Sequence, residues 1–292
     1  MKNVNTKWIY LIILSIIWGS SFILIKKALL GLTPYQIGSL RNVLTGIILL
    51  AFGFNGLKTI KKSQWKWLCI SGFLGSFFPA FLFAIAETEI DSSITSILNS
   101  LVPLNTILMG AAIFKIASTK RQFIGVIIGF IGTAILILKG SEINPNQNYF
   151  YASFIIISTL MYAANVNIIK RYLQNVKPLT IAAGNYVFIM LPAFIVLVFT
   201  DFFSESTYTS DLFWNAFLCV LILSVFGTAL AKVLFNKVIQ ISTPVFATSV
   251  TYLMPIVALI WGLLDGEAFT LIQGIASIII LAGVYIANKK KA

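Results

Sequence analysis

The stretch TPYQIGSLRNVLTGIILLAFGF, residues 33–54, is apolar enough to cross a membrane and nevertheless carries Arg41. Similar apolar runs recur along the whole chain, and about 20 helical residues suffice to cross the ~30 Å hydrocarbon core of a bilayer. Of the 292 residues, 59% are hydrophobic and only 10% are charged. Soluble domains, in contrast, contain about 45–50% apolar and about 25% charged residues. The sequence therefore predicts an all-α integral membrane protein.

Ten transmembrane helices account for these apolar runs. We predict them at residues 8–30, 33–54, 67–86, 92–114, 121–139, 149–171, 178–200, 212–237, 243–264 and 269–288.

The charged residues support this division, because they fall on alternate sides of a ten-helix chain. One side receives both termini and the basic loops, with Lys2, Lys7, Lys58, Lys61, Lys62, Lys66, Lys115, Lys120, Arg121, Lys170, Arg171, Lys177, Lys237, Lys289, Lys290 and Lys291. The other side receives all 9 acidic residues, Glu87, Glu89, Asp91, Glu142, Asp201, Glu205, Asp211, Asp265 and Glu267, together with Lys26, Lys27 and Lys139. By the positive-inside rule both termini are cytoplasmic, which predicts a multi-pass protein of the inner cell membrane.

The second half of the chain resembles the first at a shift of about 150 residues, the mark of an internal repeat. LIILSIIWGSSFILIKKAL, from Leu11, resembles FIIISTLMYAANVNIIKRYL, from Phe154. Further along, SITSILNSLVP aligns with VFATSVTYLMP, which places Pro103 over Pro255. Several matches in the same order indicate a duplication.

The duplication predicts two five-helix repeats, residues 1–145 and 146–292. Because five is odd, the second repeat enters the membrane upside down relative to the first. Inverted repeats of this kind build secondary transporters, whose substrate site lies near the membrane midplane where the halves meet.

Four stretches carry a family resemblance: WGSSFILIKKAL from Trp18, TPYQIGSLRNVLTGIILL from Thr33, SSITSILNSLVPLNTILMG from Ser92, and TPVFATSVTYLMPIVALIWGLLDGEAFTLIQGIASIIILAGV from Thr243. With them the sequence resembles the drug/metabolite transporter superfamily, specifically its EamA branch of ten-helix exporters. The resemblance covers most of the chain. It implies export of small metabolites, with amino acids as the substrate class.

Such proteins commonly end helices four and nine with a Gly-Glu step. Gly266-Glu267 fits this pattern at helix nine, whereas helix four ends in IFKIASTKRQ, with Lys115 and no acid. The resemblance therefore assigns no role to a glutamate at the end of helix four.

Helices four and nine each carry a polar face next to a proline. Ser96, Asn99, Ser100 and Pro103 share one face of helix four, and Thr248, Thr251, Tyr252 and Pro255 share one face of helix nine. A proline frees the carbonyl four residues before it for a ligand or water. We predict Ser96, Asn99, Thr251 and Tyr252 as substrate-binding residues. Helix packing by Ser and Thr is the alternative.

Aromatic and amide side chains inside other spans extend this predicted site. Trp18 and Phe22 share a face of helix one, Tyr162 and Asn165 lie within helix six, and Phe78 precedes a proline in helix three. A buried free amide costs a few kcal/mol, so Asn165 is expected to face the cavity. The aromatic side chains could also pack within the bundle.

The cations inside the spans have two interpretations each. Arg41 lies roughly 10 Å below the surface, where an ionised group needs a partner or a polar interior. It either reaches outward to Glu87, Glu89 or Asp91, or faces the cavity and binds a carboxylate. Lys232 lies near the end of the predicted eighth helix, which favours an interfacial position over a substrate role.

The sequence predicts a secondary transporter that exports amino acids or other small metabolites by alternating access. A transporter of phosphorylated or nucleotide-linked anions is the alternative. An integral-membrane enzyme is disfavoured, since the chain has no histidine and no nucleophile–base pair.

The expected partners are a small-molecule substrate and the lipid bilayer, and we expect no cofactor, metal or nucleic acid. The net charge of +12 is explained by the positive-inside rule. No acid lies deep in a span, so the sequence favours facilitated diffusion, exchange, or coupling through an acid at a span end such as Glu87 or Glu267.

Overall fold

A computed structural model of the chain describes residues 2–114, 119–143 and 146–288. Throughout these ranges the chain is helical, with no strands. Lys115, Lys289, Lys290 and Lys291 lie outside the described residues, as do the side chains of Lys2, Lys139 and Glu142 and the predicted boundary between the two halves.

The described ranges contain ten long helical segments. The first five are α1 Lys2–Ala28, α2 Pro34–Leu57, α3 Lys62–Ala86, α4 Ser92–Ala112 and α5 Lys120–Ile143. The second five are α6 Tyr149–Tyr172, α7 Pro178–Val198, α8 Phe213–Ile241, α9 Pro244–Leu264 and α10 Leu271–Asn288. A short helix, Glu205–Tyr208, lies between α7 and α8.

Eight of these segments are long and apolar enough to cross a membrane. In α5 and α10 the apolar part is shorter, Phe123–Leu136 and Leu271–Gly283. Large apolar side chains point away from the bundle, as Phe52 does with 79% of its surface exposed, which suits contact with lipid tails. The structure therefore has the character of a multi-pass membrane protein, while the count of ten spans stays a prediction.

Proline and capping side chains fix where two of the helices begin. At the start of α2 the Thr33 hydroxyl accepts a hydrogen bond from the Gln36 amide, and the Gln36 side chain accepts one from the Thr33 amide. Thr243 caps α9 by accepting from the Phe246 amide at 3.1 Å. In both cases the first helical residue is proline, whose missing N–H is not needed there.

Corresponding helices of the two predicted halves pack in equivalent pairs. α2 packs against α7, and α5 packs against α10. α1 packs against α9, and its counterpart α6 packs against α4. This arrangement agrees with an inverted duplication, which stays a prediction.

α4 and α9 are interrupted near their middles, whereas the sequence analysis gave each as one helix. α4 consists of two helices, Ser92–Asn99 and Val102–Ala112. In α9 the 3₁₀ segment Ser249–Tyr252 separates two α-helices. A proline follows each interruption, Pro103 in α4 and Pro255 in α9, and proline removes one backbone donor and clashes with the preceding turn.

α3 and α8 each contain a wider, π-helical turn. It spans Phe73–Phe77 in α3 and Leu223–Leu230 in α8. In α8 neighbouring helices donate to its carbonyls: the Trp18 indole to Gly227 at 2.8 Å and the Thr45 hydroxyl to Ser224 at 3.1 Å. π-Helical turns occur frequently at functional sites, and here they bring backbone and polar groups toward the centre of the bundle.

Candidate functional site

A cavity lies inside the bundle, between α1, α2, α3, α4, α6, α8 and α9. Its volume is about 110 Å³, of the same order as an engineered cavity of ~150 Å³ that holds benzene. Without movement of the helices it can therefore hold only a small molecule.

Most of the predicted site residues line this cavity. They are Trp18, Phe22, Arg41, Asn99, Tyr162, Asn165 and Thr251. The structure brings them together from five helices, although a substrate-binding role for them stays a prediction.

Three predicted residues lie away from the cavity wall. Phe78 is 43% exposed on the outside of α3, directly after the π-helical turn, whose extra residue rotates the following side chains. Tyr252 packs against the hydrophobic core, because the tighter 3₁₀ turn places it on a different face from Thr251. Ser96 is fully buried within the first part of α4, where every side chain is covered by neighbouring helices.

Arg41 faces the cavity rather than the acidic end of the bundle. Its Nε donates a hydrogen bond of 2.7 Å to the Thr228 hydroxyl on α8. In the described part of the chain it forms no ion pair, since the ion pairs there join Lys26 and Lys27 to acids at the end of α9. The expected contact with Glu87, Glu89 or Asp91 is therefore absent from the described residues.

A second cation, Lys232, reaches the same cavity from α8. It is only 7% exposed, and its Nζ donates to the Ser76 hydroxyl at 2.5 Å. Lys232 also lies 6.0 Å from the centre of the Tyr186 ring. The interfacial position favoured from the sequence is wrong because α8 continues to Ile241, which leaves Lys232 about 13 Å from the helix end at 1.5 Å per residue.

The charge of the cavity is positive. Arg41 and Lys232 are the two charged residues among those that line it in the described ranges, and no carboxylate is among them. Unlike charges attract strongly in a medium of low dielectric constant, and cation-to-carboxylate hydrogen bonds are roughly twice as strong as neutral ones. An anionic group would therefore be the favoured occupant.

Amide side chains provide neutral polar groups on the wall. The Asn165 Oδ1 accepts from the Ser71 hydroxyl at 2.6 Å, and Gly75 packs directly against the Asn165 amide, where a Cβ would overlap it. The buried Asn99 Oδ1 has no hydrogen-bond partner among the described residues. Because a buried polar atom without a partner is costly, Asn99 is suited to accept a hydrogen bond from a ligand or water.

The remainder of the wall is aromatic and apolar. Phe83 lies with its ring centre 5.9 Å from that of Phe22 and 6.0 Å from that of Tyr162. Trp18 packs edge-on against Phe235 at 4.9 Å. A mostly apolar cavity with a few convergent polar groups is the usual form of a small-molecule site.

Several lining residues were not predicted from the sequence. They are Ser21, Asn42, Ser76, Phe83, Thr228, Asn236 and Met254. Asn42 and Asn236 are polar residues inside apolar spans and could have been proposed on that ground, as Asn165 was. Ser76 and Thr228 give no such signal, because Ser and Thr are frequent in membrane helices for packing alone.

Glu267 is held at one end of the bundle by the turn after α9. Gly266 adopts φ +83°. The Gly266 amide donates a hydrogen bond to the Leu263 carbonyl, and the Glu267 amide donates one to the Gly262 carbonyl at 2.9 Å. This pattern is a Schellman cap, for which a glycine is preferred at the left-handed position. The Gly-Glu step thus ends the helix and sets the position of the carboxylate.

The Glu267 carboxylate joins α9 to the start of α4 and to α1. It accepts from the Ser92 hydroxyl at 2.6 Å, from the backbone amides of Ser92 and Ser93 at 3.1 Å, and from Lys26 Nζ at 2.9 Å. Burial acts to raise the pKa of Glu267, but the hydrogen bonds from Ser92, Ser93 and Lys26 outweigh it and lower that pKa. Asp265 adds ion pairs to Lys26 and Lys27. We call Lys26, Lys27, Ser92, Ser93, Asp265 and Glu267 the ion-pair cluster.

The sequence matches the EamA-like transporter family over residues 6–138 and 149–289. It is 28% identical over 283 residues to the "Uncharacterized inner membrane transporter YedA" of Escherichia coli (strain K12), covering 95% of this chain and 89% of that protein. An "Uncharacterized transporter" of Archaeoglobus fulgidus is 24% identical and aligns over 98% of this chain and 99% of its own length. "Uncharacterized transporter YyaM" of Bacillus subtilis is also 24% identical, covering 99% of this chain.

A solved crystal structure shares the fold. It aligns with a TM-score of 0.69 over 97% of this chain and 96% of the other chain, at 14% sequence identity. The family match covers most of the sequence, including the stretches that supply Arg41, Lys232 and the other cavity residues. This chain belongs to the EamA-like transporter family and is a multi-pass membrane transporter.

Proposed function

We propose that this protein is a secondary transporter of small organic metabolites that carry a carboxylate, with amino acids as the first class to test. The substrate would occupy the cavity between the two halves and cross by alternating access. The protein would lie in the inner cell membrane with both termini in the cytoplasm.

The observation that carries this proposal is the pair of cations in the cavity. Arg41 from the first half and Lys232 from the second both lack an acidic partner among the described residues. A substrate carboxylate between them would supply the missing negative charge. The aromatic side chains Trp18, Phe22 and Phe83 would contact an apolar part of the same molecule.

Alternating access is supported by where the helices are interrupted. The breaks in α4 and α9 lie beside Asn99 and Thr251, both on the cavity wall. Interrupted helices at the interface of two repeats are the usual way in which secondary transporters form their substrate sites. The ion-pair cluster would close the acidic end in one state and separate in the other.

Export is the direction that the family resemblance implies. A secondary transporter moves its substrate down the combined gradients that it couples, so an accumulated product would leave the cell through this cavity.

A transporter of phosphorylated anions is the second candidate, and the same two cations favour it. A phosphate site commonly recruits several charge-assisted donors, and this cavity offers two cations together with the Asn42 and Asn236 amides. The carboxylate proposal is preferred because most of the wall is apolar and the cavity is small.

The test is counterflow of labelled amino acids in proteoliposomes without an ion gradient. Wild type is expected to exchange label, Arg41→Ala is expected to lose exchange, and the exposed Arg121→Ala serves as the matched control. Exchange of a labelled sugar phosphate, without exchange of labelled amino acids, would favour the phosphorylated class. Absence of exchange with every carboxylate and phosphate tested would contradict the proposal.

A further inference from the structure

Glu87 is a buried acid that belongs neither to the cavity wall nor to the ion-pair cluster. It follows α3 directly, and its backbone amide donates a hydrogen bond of 3.0 Å to the Phe83 carbonyl. The residue is only 6% exposed, and both carboxyl oxygens are buried without a hydrogen-bond partner among the described residues.

Two neighbouring acids at this end of the bundle do have hydrogen-bond partners. Glu267 receives four hydrogen bonds, and Asp91 accepts from the Gln147 side chain at 2.6 Å. Burying a charged carboxylate without such partners is very unfavourable, and this favours the protonated form of the group. Burial, and then the charge of Glu267, raise the pKa of Glu87 well above its usual range.

Two cations act to lower the pKa of Glu87. Lys26 on α1 and Arg41 on α2 both favour its charged form. The helix α6, which packs against this end of α3, adds the phenol of Tyr162, whose ring lies 6.0 Å from that of Phe83. Glu87 therefore lies under the influence of Arg41 without forming a salt bridge to it.

The position of Glu87 links the cavity to water. Phe83, one helical turn earlier on α3, lines the cavity with Arg41. Glu87 itself lines a separate, open depression of about 900 Å³ at the acidic end, together with Lys26, Gln36 and Asp201. The depression brings water next to the Glu87 side chain, whose carboxyl oxygens are covered, while Arg41 connects the group electrostatically to the cavity.

Resting on the proposed function, we propose that Glu87 is a proton-binding site that takes up one proton when an anionic substrate binds at Arg41, so that proton and substrate cross together. The proton comes from water on the side from which the substrate enters the cavity and forms an O–H bond with a carboxyl oxygen of Glu87. After the substrate leaves, Arg41 again favours the carboxylate, and the proton returns to water on the side of release.

The sign of this coupling follows from charge. An anion at Arg41 cancels the positive potential that stabilises the Glu87 carboxylate, so it increases the affinity of Glu87 for a proton. By thermodynamic reciprocity, protonation of Glu87 increases the affinity of the cavity for the anion by the same factor. Efflux of an accumulated substrate would then carry protons outward with it.

The experiment compares wild type with Glu87→Gln, which mimics the protonated acid. Glu89→Gln, two residues further along and without the buried position, is the matched control. Proteoliposomes loaded with a pH-sensitive dye report proton movement driven by a gradient of an amino-acid mixture, and counterflow of the same labelled mixture reports substrate movement alone. Glu87→Gln is expected to keep counterflow and to lose proton movement, because its amide cannot take up and release a proton at these pH values, while Glu89→Gln behaves as wild type.

Unchanged proton movement in Glu87→Gln, or counterflow by wild type without any proton movement, would overturn the proposal. An independent measurement does not need the substrate. As the pH is lowered, the infrared carbonyl band of a protonated carboxylic acid should appear in purified wild type at a pH above that of an ordinary carboxylic acid, and this early band should be absent from Glu87→Gln. If this band is found while wild type exchanges no amino acid, the substrate class proposed above fails but the proton site stands. If the band is absent from wild type, the proton site itself is excluded.

Discussion

Arg41 on α2 donates from Nε to the hydroxyl of Thr228 on α8, at 2.7 Å. Thr228 in turn donates to the Leu223 carbonyl within the π-helical turn of α8, at 3.0 Å. In the described part of the chain, the two terminal nitrogens of Arg41 donate to no protein group. Thr228 thus fixes the guanidinium while its outer edge stays available to bind a carboxylate with two parallel hydrogen bonds.

Arg41→Lys should weaken exchange of carboxylate substrates although it keeps the charge. An ammonium cannot reproduce the planar, bidentate geometry of a guanidinium, and loss of one charge-assisted hydrogen bond of about 1.5–3 kcal/mol corresponds to roughly ten- to hundredfold in affinity. The half-saturating concentration in counterflow measures this. Arg121→Lys is the control. An unchanged half-saturating concentration in Arg41→Lys would show that the substrate does not use the bidentate geometry of the guanidinium.

Lys232→Met should lower substrate affinity without unfolding the protein. The methionine fills a similar volume and removes a buried charge, so the thermal midpoint is expected to stay the same or to rise. The exposed Lys237→Met provides the comparison on the same helix. A large fall in thermal midpoint for Lys232→Met alone would mean that Lys232 mainly stabilises the bundle through Ser76.

Glu267→Gln should destabilise the protein by about 2 kcal/mol, the order of a lost charge-assisted hydrogen bond. The folded protein lowers the pKa of Glu267, so its stabilisation is present above the unfolded pKa and is lost as the pH falls through the lower, folded value. Thermal unfolding at a series of pH values, with the exposed Glu205→Gln as control, measures both effects. Equal pH dependence in wild type and Glu267→Gln would contradict the assignment.

Glu87→Gln should have the opposite effect on stability. Because the folded protein raises the pKa of Glu87, the acid costs stability as the pH rises from its unfolded pKa toward its folded one, and this cost is absent below the unfolded pKa. At neutral pH the variant is therefore expected to melt higher than wild type, and at acidic pH the two should coincide. A lower midpoint for Glu87→Gln at neutral pH would indicate a partner for the carboxylate.

Gly75→Ala should impair transport by displacing Asn165. The added Cβ overlaps the Asn165 amide, which would have to leave its hydrogen bond with Ser71, and forcing one methyl group into a packed core typically costs about 1–3 kcal/mol. Gly274→Ala is the matched control, since its nearest contact, the Phe269 ring, lies at an ordinary 3.6 Å. Counterflow and thermal unfolding of both variants test this, and similar losses in both would argue against a role for Asn165.

Much of the helical architecture could be predicted because its cause is local. Each span must be apolar over about 20 residues to lie in hydrocarbon, and proline, threonine and glycine mark several helix ends, as Thr33, Pro34 and Gly266 do. The interruptions were not predicted as breaks. Whether Pro103 bends or splits a helix depends on which neighbours can satisfy the freed backbone groups, and those neighbours are distant in the chain.

The site was predictable where a polar or charged residue stood out against an apolar run. Arg41 and Asn165 were proposed on that ground, and both line the cavity. Tyr252 was placed on a face by a regular helical period, which the 3₁₀ turn changes. Phe78 was proposed because it precedes a proline, and the π-helical turn before it leaves its side chain on the outside of α3. Lys232 was misjudged because its depth depended on a helix end that the predicted bounds placed too early.

By itself the sequence determined that this chain lies in a membrane as a set of apolar helices, because the cost of exposing polar backbone to lipid leaves few other solutions. It also determined which polar residues would be energetically unfavourable in the hydrocarbon core unless they found a partner. Only the tertiary structure decided that Arg41 faces Thr228 and the cavity, that Lys232 joins it from α8, and that Glu87 has no hydrogen-bond partner within the described ranges. Those outcomes depend on contacts between helices far apart in sequence, and no local pattern of residues encodes them.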